Sequence, residues 1–214
     1  MNRETRKTRR MKKMIRTERE YRSFKIELRD QETLEDYKVR GYASTYEPYV
    51  LYEWEGIQYS EKIDREAFAG ADMSDVIFLY NHEGMVHARM KNGTLRVTPD
   101  DHGLYIEADL SSTTQSRELF ESIKAGLIDQ MSFAFTVRAD EYDKQTHTRT
   151  ITKFEKIYDV SAVSIPANPG TDISAVSARD YFNGVIEAEK AERLEEQRAL
   201  ELQKKKFEFL EVSL

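Results

Sequence analysis

The sequence predicts a mainly β fold with peripheral helices, an α+β domain whose strands pair mostly antiparallel. Three observations carry this. Short runs of alternating apolar and polar residues recur from Tyr21 to about Ser177. One clear helical signature interrupts them, at "TTQSRELFESIKAGL". The two ends are charged and poor in core-forming side chains.

The strands come in order. "YRSFKIEL" alternates from Tyr21, and "YKVRGYASTY" (Tyr37 to Tyr46) and "GIQYSEKI" (Gly56 to Ile63) do the same. "DREAFAGA" follows, with Asp64 placed to cap a short helix. "DVIFLYN" (Asp75 to Asn81) is an apolar run with polar ends, as in a buried strand. "GTLRVTPDDHGLYIEADL" reads as a hairpin turning at Pro99 to Gly103. In the helix that follows, Thr113 or Thr114 can cap the start. Leu119, Phe120 and Ile123 share a face, and Gly126 stands where a helix ends. "MSFAFTVRADEYD" and "THTRTITKFEKI" form a second strand pair. "DVSAVSIPANPG" (Asp159 to Gly170) is a further strand stopped by Pro166 and Pro169. A small barrel or a sandwich satisfies this order equally.

Composition sets outer limits. Of 214 residues, 34% are charged and only 39% hydrophobic, which favours a folded middle between charged extensions. We divide the chain into a basic flexible arm (1–20), a domain (21–177) and a charged helical extension (178–214). The arm suits an acidic partner or nucleic acid, or is a solvated tail. In the extension, Glu–Lys and Glu–Arg pairs at helical spacing support a helix. Its apolar residues are too sparse for a core face, so it is expected to be exposed. The absence of cysteine excludes disulfides, zinc–thiolate sites and cysteine nucleophiles. No apolar run is long enough to span a bilayer.

The stretch "LIDQMSFAF" places Ser132 among Met131, Phe133 and Phe135. Either the serine fills the small side of a half-buried strand, or it is a nucleophile. A nucleophilic serine needs a base within hydrogen-bond reach and a third group to hold that base. Of four histidines, His102 and His147 fall in polar turns and read as exposed loop residues. His82 ends an apolar strand, where a side chain is well fixed. "HEGMVH" is not the metalloprotease signature, because His82 and His87 are five residues apart with Gly84 between them. Asp159, an acid leading an apolar strand, is the candidate third group; the alternative is a solvated strand-start aspartate.

These blocks, in this order, resemble the prohead maturation proteases of tailed bacteriophages, serine peptidases related in fold to the herpesvirus assemblins. "GYASTY" resembles the family's early strand, and "EKIDREAF" its following segment. "FLYNHEGMVHAR" resembles the Asn-His block, whose histidine is the base. "IKAGLIDQMSFAF" resembles the block whose serine is the nucleophile. "IYDVSAVSIPANPGTDIS" resembles the closing block, with Asp159 where glutamate is commoner. The resemblance implies an assemblin-like small β-barrel and a serine endopeptidase with Ser132, His82 and Asp159 catalytic, without cofactor or metal. It implies the capsid precursor and scaffold protein as partners, with self-association and self-cleavage, and neither membrane nor nucleic acid. The setting implied is the assembling procapsid in the host cytoplasm. A non-catalytic assembly protein on the same fold is the alternative. The bulky neighbours of Ser132 are expected to shape and dry its pocket.

Overall fold

The computed structural model describes residues 19–25, 37–164 and 173–212. The arm up to residue 18 and the Pro-Ala-Asn-Pro segment lie outside the described residues, as does the end of the first predicted strand. Ten strands and two α-helices are described.

The larger sheet is organised by two long strands. Strand β9 (Gln130–Asp143) and β10 (Thr148–Val163) form an antiparallel pair along nearly their whole length. The free edge of β9 takes β1 (Glu20–Lys25), antiparallel. The other edge of β10 is shared. Its first part pairs parallel with β4 (Ile57–Ile63), which in turn pairs with β3 (Tyr49–Trp54). Its last part pairs parallel with β5 (Ile77–Tyr80), which forms a hairpin with β6 (Glu83–Arg89). A smaller antiparallel sheet holds β2 (Lys38–Thr45), β8 (Gly103–Asp109) and β7 (Leu95–Pro99) in that order.

Three expectations change. Among the described residues the sheets do not close into a barrel: β1 and β3 end one, and β2 and β7 end the other. Two pairings of β10 are parallel, and the two runs read as separate strands from Thr146 onward are one bulged strand. The predicted helix after Asp64 is a series of turns. Its backbone groups bond to β10 instead: Asp64 N–H to Ile151 O, Phe154 N–H to Ala67 O, and Asp72 N–H to Glu155 O. A helix would have taken Ala67 O for the Ala71 N–H, which here bonds Phe68 O, and left no carbonyl for Phe154. Asp64 still accepts from the Glu66 N–H at 2.9 Å, and Ala67 and Phe68 fill the core below.

The main core lies between the sheets. Val39 and Ala43 of β2 and Leu104 and Ile106 of β8 face Phe133, Phe135, Phe154 and Val160 of the large sheet. Helix α1 (Thr114–Lys124) contributes Leu119, Phe120 and Ile123 to it. Thr113 accepts from the Ser116 N–H, and Gly126, at φ 71°, ends the helix as expected. The β7–β8 turn needs its glycine. A Cβ at Gly103 would sit 1.9 Å from the Ser44 carbonyl oxygen.

Helix α2 (Ile173–Val212) is longer and better anchored than its composition suggests. Phe182, Val185 and Ile186 are buried. Phe182 and Ile186 close a second cluster with Leu51 of β3 and Tyr59 of β4. Beyond residue 190 the described side chains are exposed.

Candidate active site

The site is built on β9, β10 and the β5–β6 turn. On β9, side chains alternate between faces. Met131, Phe133 and Phe135 point into the main core and are fully buried, Phe133 stacked on Phe135 at 4.6 Å. Ser132 and Ala134 point to the other face. The bulky neighbours therefore do not shape a pocket around Ser132. They anchor the strand that carries it.

Register then decides what Ser132 meets. Its partner across β9–β10 is Ser161, and its partner across β1–β9 is Ser23. Asp159 lies two residues before Ser161 and so shares the face of Ser132. β10 is held on both edges here, by β9 and by β5, which fixes Asp159 firmly.

The imidazole arrives from the third element. β5 and β6 are joined by the two residues Asn81 and His82, between the paired Tyr80 and Glu83. Their φ values are 53° and 61°, the pattern of a type I′ turn, which requires both central residues left-handed. Asparagine and histidine are among the non-glycine residues that tolerate this conformation. The turn is pinned to the end of β10. The Asn81 N–H donates to Ala162 O at 3.0 Å, and the Asn81 side-chain oxygen accepts from the Ser164 N–H at 3.0 Å. His82 is thus held by a tight turn rather than by a loop.

The three expected residues meet. His82 Nε2 lies 2.6 Å from Ser132 Oγ, and His82 Nδ1 lies 2.6 Å from Asp159 Oδ1. A carboxylate at Nδ1 places the ring proton there, which leaves Nε2 to accept from the serine hydroxyl. Ser132 has no exposed surface and Asp159 has 3%, whereas the His82 side chain keeps 18% and is the solvent-facing member. Tyr21 of β1 packs edge-on to the imidazole, ring centres 4.7 Å apart.

Sequence reasoning missed several partners. Ser161 donates to Asp159 Oδ1 at 2.8 Å and lies 3.2 Å from His82 Nδ1. Its signal was the spacing Asp159-x-Ser161 on one strand face. Asn81 was readable from the dipeptide Asn-His as a turn former. Tyr21 left no signal beyond the alternation of its strand.

The other histidines serve packing. His102 is exposed, as expected, with its ring against Tyr42. His147 is half-buried rather than free in its turn: Tyr142 Oη lies 3.0 Å from Nδ1, and Glu189 of α2 lies 4.0 Å away. "HEGMVH" is a turn and strand, not a helix. His87 Nδ1 lies 3.1 Å from Ser116 Oγ, and burial pushes its imidazole below the usual histidine range.

A second polar group, absent from the sequence reading, lies under the large sheet. Arg22 of β1 reaches Glu61 of β4 through two bonds, at 2.6 and 2.8 Å, and Glu20 through one at 2.7 Å. Arg149 of β10 reaches Glu20 at 2.7 and 3.0 Å and Glu61 at 2.9 Å. All four residues are buried, and their charges cancel. Burial pushes the Glu20 carboxyl up, but Arg149 and Arg22 outweigh it and hold it at about 2. The cluster rivets β1 to β4 and β10.

A hydroxyl, an imidazole and a carboxylate hydrogen-bonded in series form a site of the serine-hydrolase class. Residues 24–184, which include all three, match the family model of the caudovirus prohead serine protease. The match spans most of the chain, and the chain belongs to that family. No curated protein and no solved structure matches it. No helix among the described residues is long and apolar enough to cross a membrane.

Proposed function

We propose that the protein is the maturation endopeptidase of a phage prohead and that Ser132, His82 and Asp159 are its catalytic residues. Ser132 Oγ attacks a peptide carbonyl carbon while His82 Nε2 takes the hydroxyl proton. The imidazolium returns that proton to the leaving amine, and a water repeats the cycle to release the acyl group. Asp159 holds the ring tautomer and offsets the imidazolium charge. The observation that carries the reading is the pair of 2.6 Å contacts on either side of the His82 ring, in a chain of this family.

Ser132 is fully buried. A substrate therefore reaches Oγ by displacing side chains over it, a step of the kind that gates many enzymes. The substrates are segments of the capsid precursor and the scaffold protein, and the protease's own ends, cut inside the procapsid in the host cytoplasm. The basic arm and the charged C-terminal extension tether the enzyme to scaffold until self-cleavage frees it.

The test is co-expression of wild type, Ser132→Ala and His82→Ala with the capsid precursor, with and without a chelator. Cleavage by wild type alone, indifferent to chelator, is expected. Loss of either residue should cost on the order of 10⁴-fold or more. Cleavage that persists in Ser132→Ala removes the assignment, and no cleavage by any form favours a non-catalytic assembly role. For the tethers, deletion of residues 1–20 or 178–214 should lower incorporation into proheads; unchanged incorporation of both removes that part.

A further inference from the structure

We propose that Ser161 is a positioning residue that acts on the reaction through Asp159 and His82 without touching substrate. The proposal rests on the catalytic reading above and adds a fourth residue to it.

Proton counting carries the argument. Ser161 has no exposed surface, so its hydroxyl is satisfied within the protein or not at all. Two groups of the site lie in reach, Asp159 Oδ1 at 2.8 Å and His82 Nδ1 at 3.2 Å. The hydroxyl has one proton, and a carboxylate oxygen is the stronger acceptor. The proton therefore goes to Asp159, and an oxygen lone pair faces Nδ1. That arrangement suits a ring that carries its proton on Nδ1 and opposes the other tautomer. Were Ser161 to donate to Nδ1 instead, the ring proton would sit on Nε2 and the serine hydroxyl could not pass its proton there.

Geometry supports the same role. Ser161 is the direct cross-strand partner of Ser132, so the two hydroxyls flank the imidazole from neighbouring strands. Asp159 Oδ1 receives both the ring N–H and the Ser161 hydroxyl. Two donors on one oxygen fix the carboxylate's rotation. Asp159 meets the ring through Oδ1, at 2.6 Å. Ser161 holds that orientation.

The experiment measures cleavage of purified capsid precursor over a range of concentration and pH by wild type, Ser132→Ala, Ser161→Ala and Ser161→Cys. Proton NMR follows the downfield His82 Nδ1–H resonance in the same full-length chains. Ser161→Ala should lower kcat about ten- to a hundredfold, the loss expected of a hydrogen bond to a charged group, with KM unchanged. With one donor fewer on Asp159, more carboxylate charge falls on the ring. The acid limb of the kcat/KM profile should therefore move to higher pH and the resonance should shift. Ser161→Cys, with a weaker donor of similar size, should fall between and decides the matter if the alanine chain does not fold. Wild-type kcat, pH profile and resonance in both Ser161 variants, beside an inert Ser132→Ala, overturn the role of Ser161 alone. Full cleavage by Ser132→Ala, or none by wild type, overturns the catalytic reading itself.

Discussion

Removing one guanidinium from the buried cluster should cost far more than removing one charge of each sign. Arg149→Met leaves Glu20 and Glu61 against Arg22 alone, a net negative charge where no water reaches. Breaking a buried pair in this way costs about 3–5 kcal/mol. Glu20→Gln strands a positive charge, eased because Asp140, which is partly exposed, also accepts from Arg149 at 2.7 Å. The double variant leaves Arg22 and Glu61 joined by their two short bonds. It should regain about 1–2 kcal/mol of the Arg149→Met loss, because stranding one charge costs more than removing a pair; the coupling in the cycle is that gain plus the separate cost of Glu20→Gln. The assay is equilibrium urea unfolding at pH 7 for the four chains of the cycle. Additivity within about 0.5 kcal/mol would refute the reasoning, since it would mean the four charges do not sense one another.

The same cluster sets an acid dependence. Glu20 has its folded pKa lowered from 4.5 to about 2, so its contribution is complete above 4.5 and is lost as pH falls through about 2. The stability gap between wild type and Glu20→Gln, on the order of 3 kcal/mol by that shift, should close over this window in acid titrations; a gap independent of pH would exclude it. Asn81→Gly keeps the left-handed turn but loses the bonds to Ser164, whereas Asn81→Ala also strains φ. Alanine should therefore be the less stable by about 1 kcal/mol, with cleavage lowered in both, and equal stabilities would remove the turn argument. Phe182→Ala empties a fully buried site under α2 and should weaken helix docking by about 3–5 kcal/mol. Hydrogen exchange in α2 should then rise while the β9–β10 amides stay protected, and an unchanged helix would show that the second cluster does not hold it.

What could be read from the sequence was whatever depends on local periodicity. The alternation of β9, the apolar run of β5, the β7–β8 turn and the capped helix α1 each follow from side chains a few residues apart. Partner choice was not legible. Nothing in "THTRTITKFEKI" says that the outer edge of its strand takes β4 and then β5 in parallel. The turns after Asp64 were misread because capping chemistry serves a turn as well as a helix, and the decision lay with distant acceptors on β10. Nothing local marks Arg22, Glu61 and Arg149 as buried, since a single charge in a strand ordinarily faces solvent. Only register shows that their charges cancel.

By resemblance to the family, glutamate is commoner where this chain has Asp159, and the fold accommodates the shorter acid. A shorter acid reaches an imidazole only if the imidazole is brought closer. The two-residue turn at Asn81 and His82 does that, since it cannot extend and is bonded to Ala162 and Ser164 on the strand that carries Asp159. His82 and Asp159 are thus two ends of one clamp between β5 and β10, and the 2.6 Å contact follows from backbone pairing rather than side-chain reach. Ser132 is set against this clamp by β9, whose large residues are locked in the core on its other face. Placing a glycine between Asn81 and His82 should then release the imidazole from Asp159 while leaving the Ser132 strand in place. The expected result is loss of cleavage, on the order of a hundredfold for a displacement near 1 Å, with little change in urea midpoint. A chain so lengthened that cleaves at the wild-type rate would show that the turn does not set the geometry.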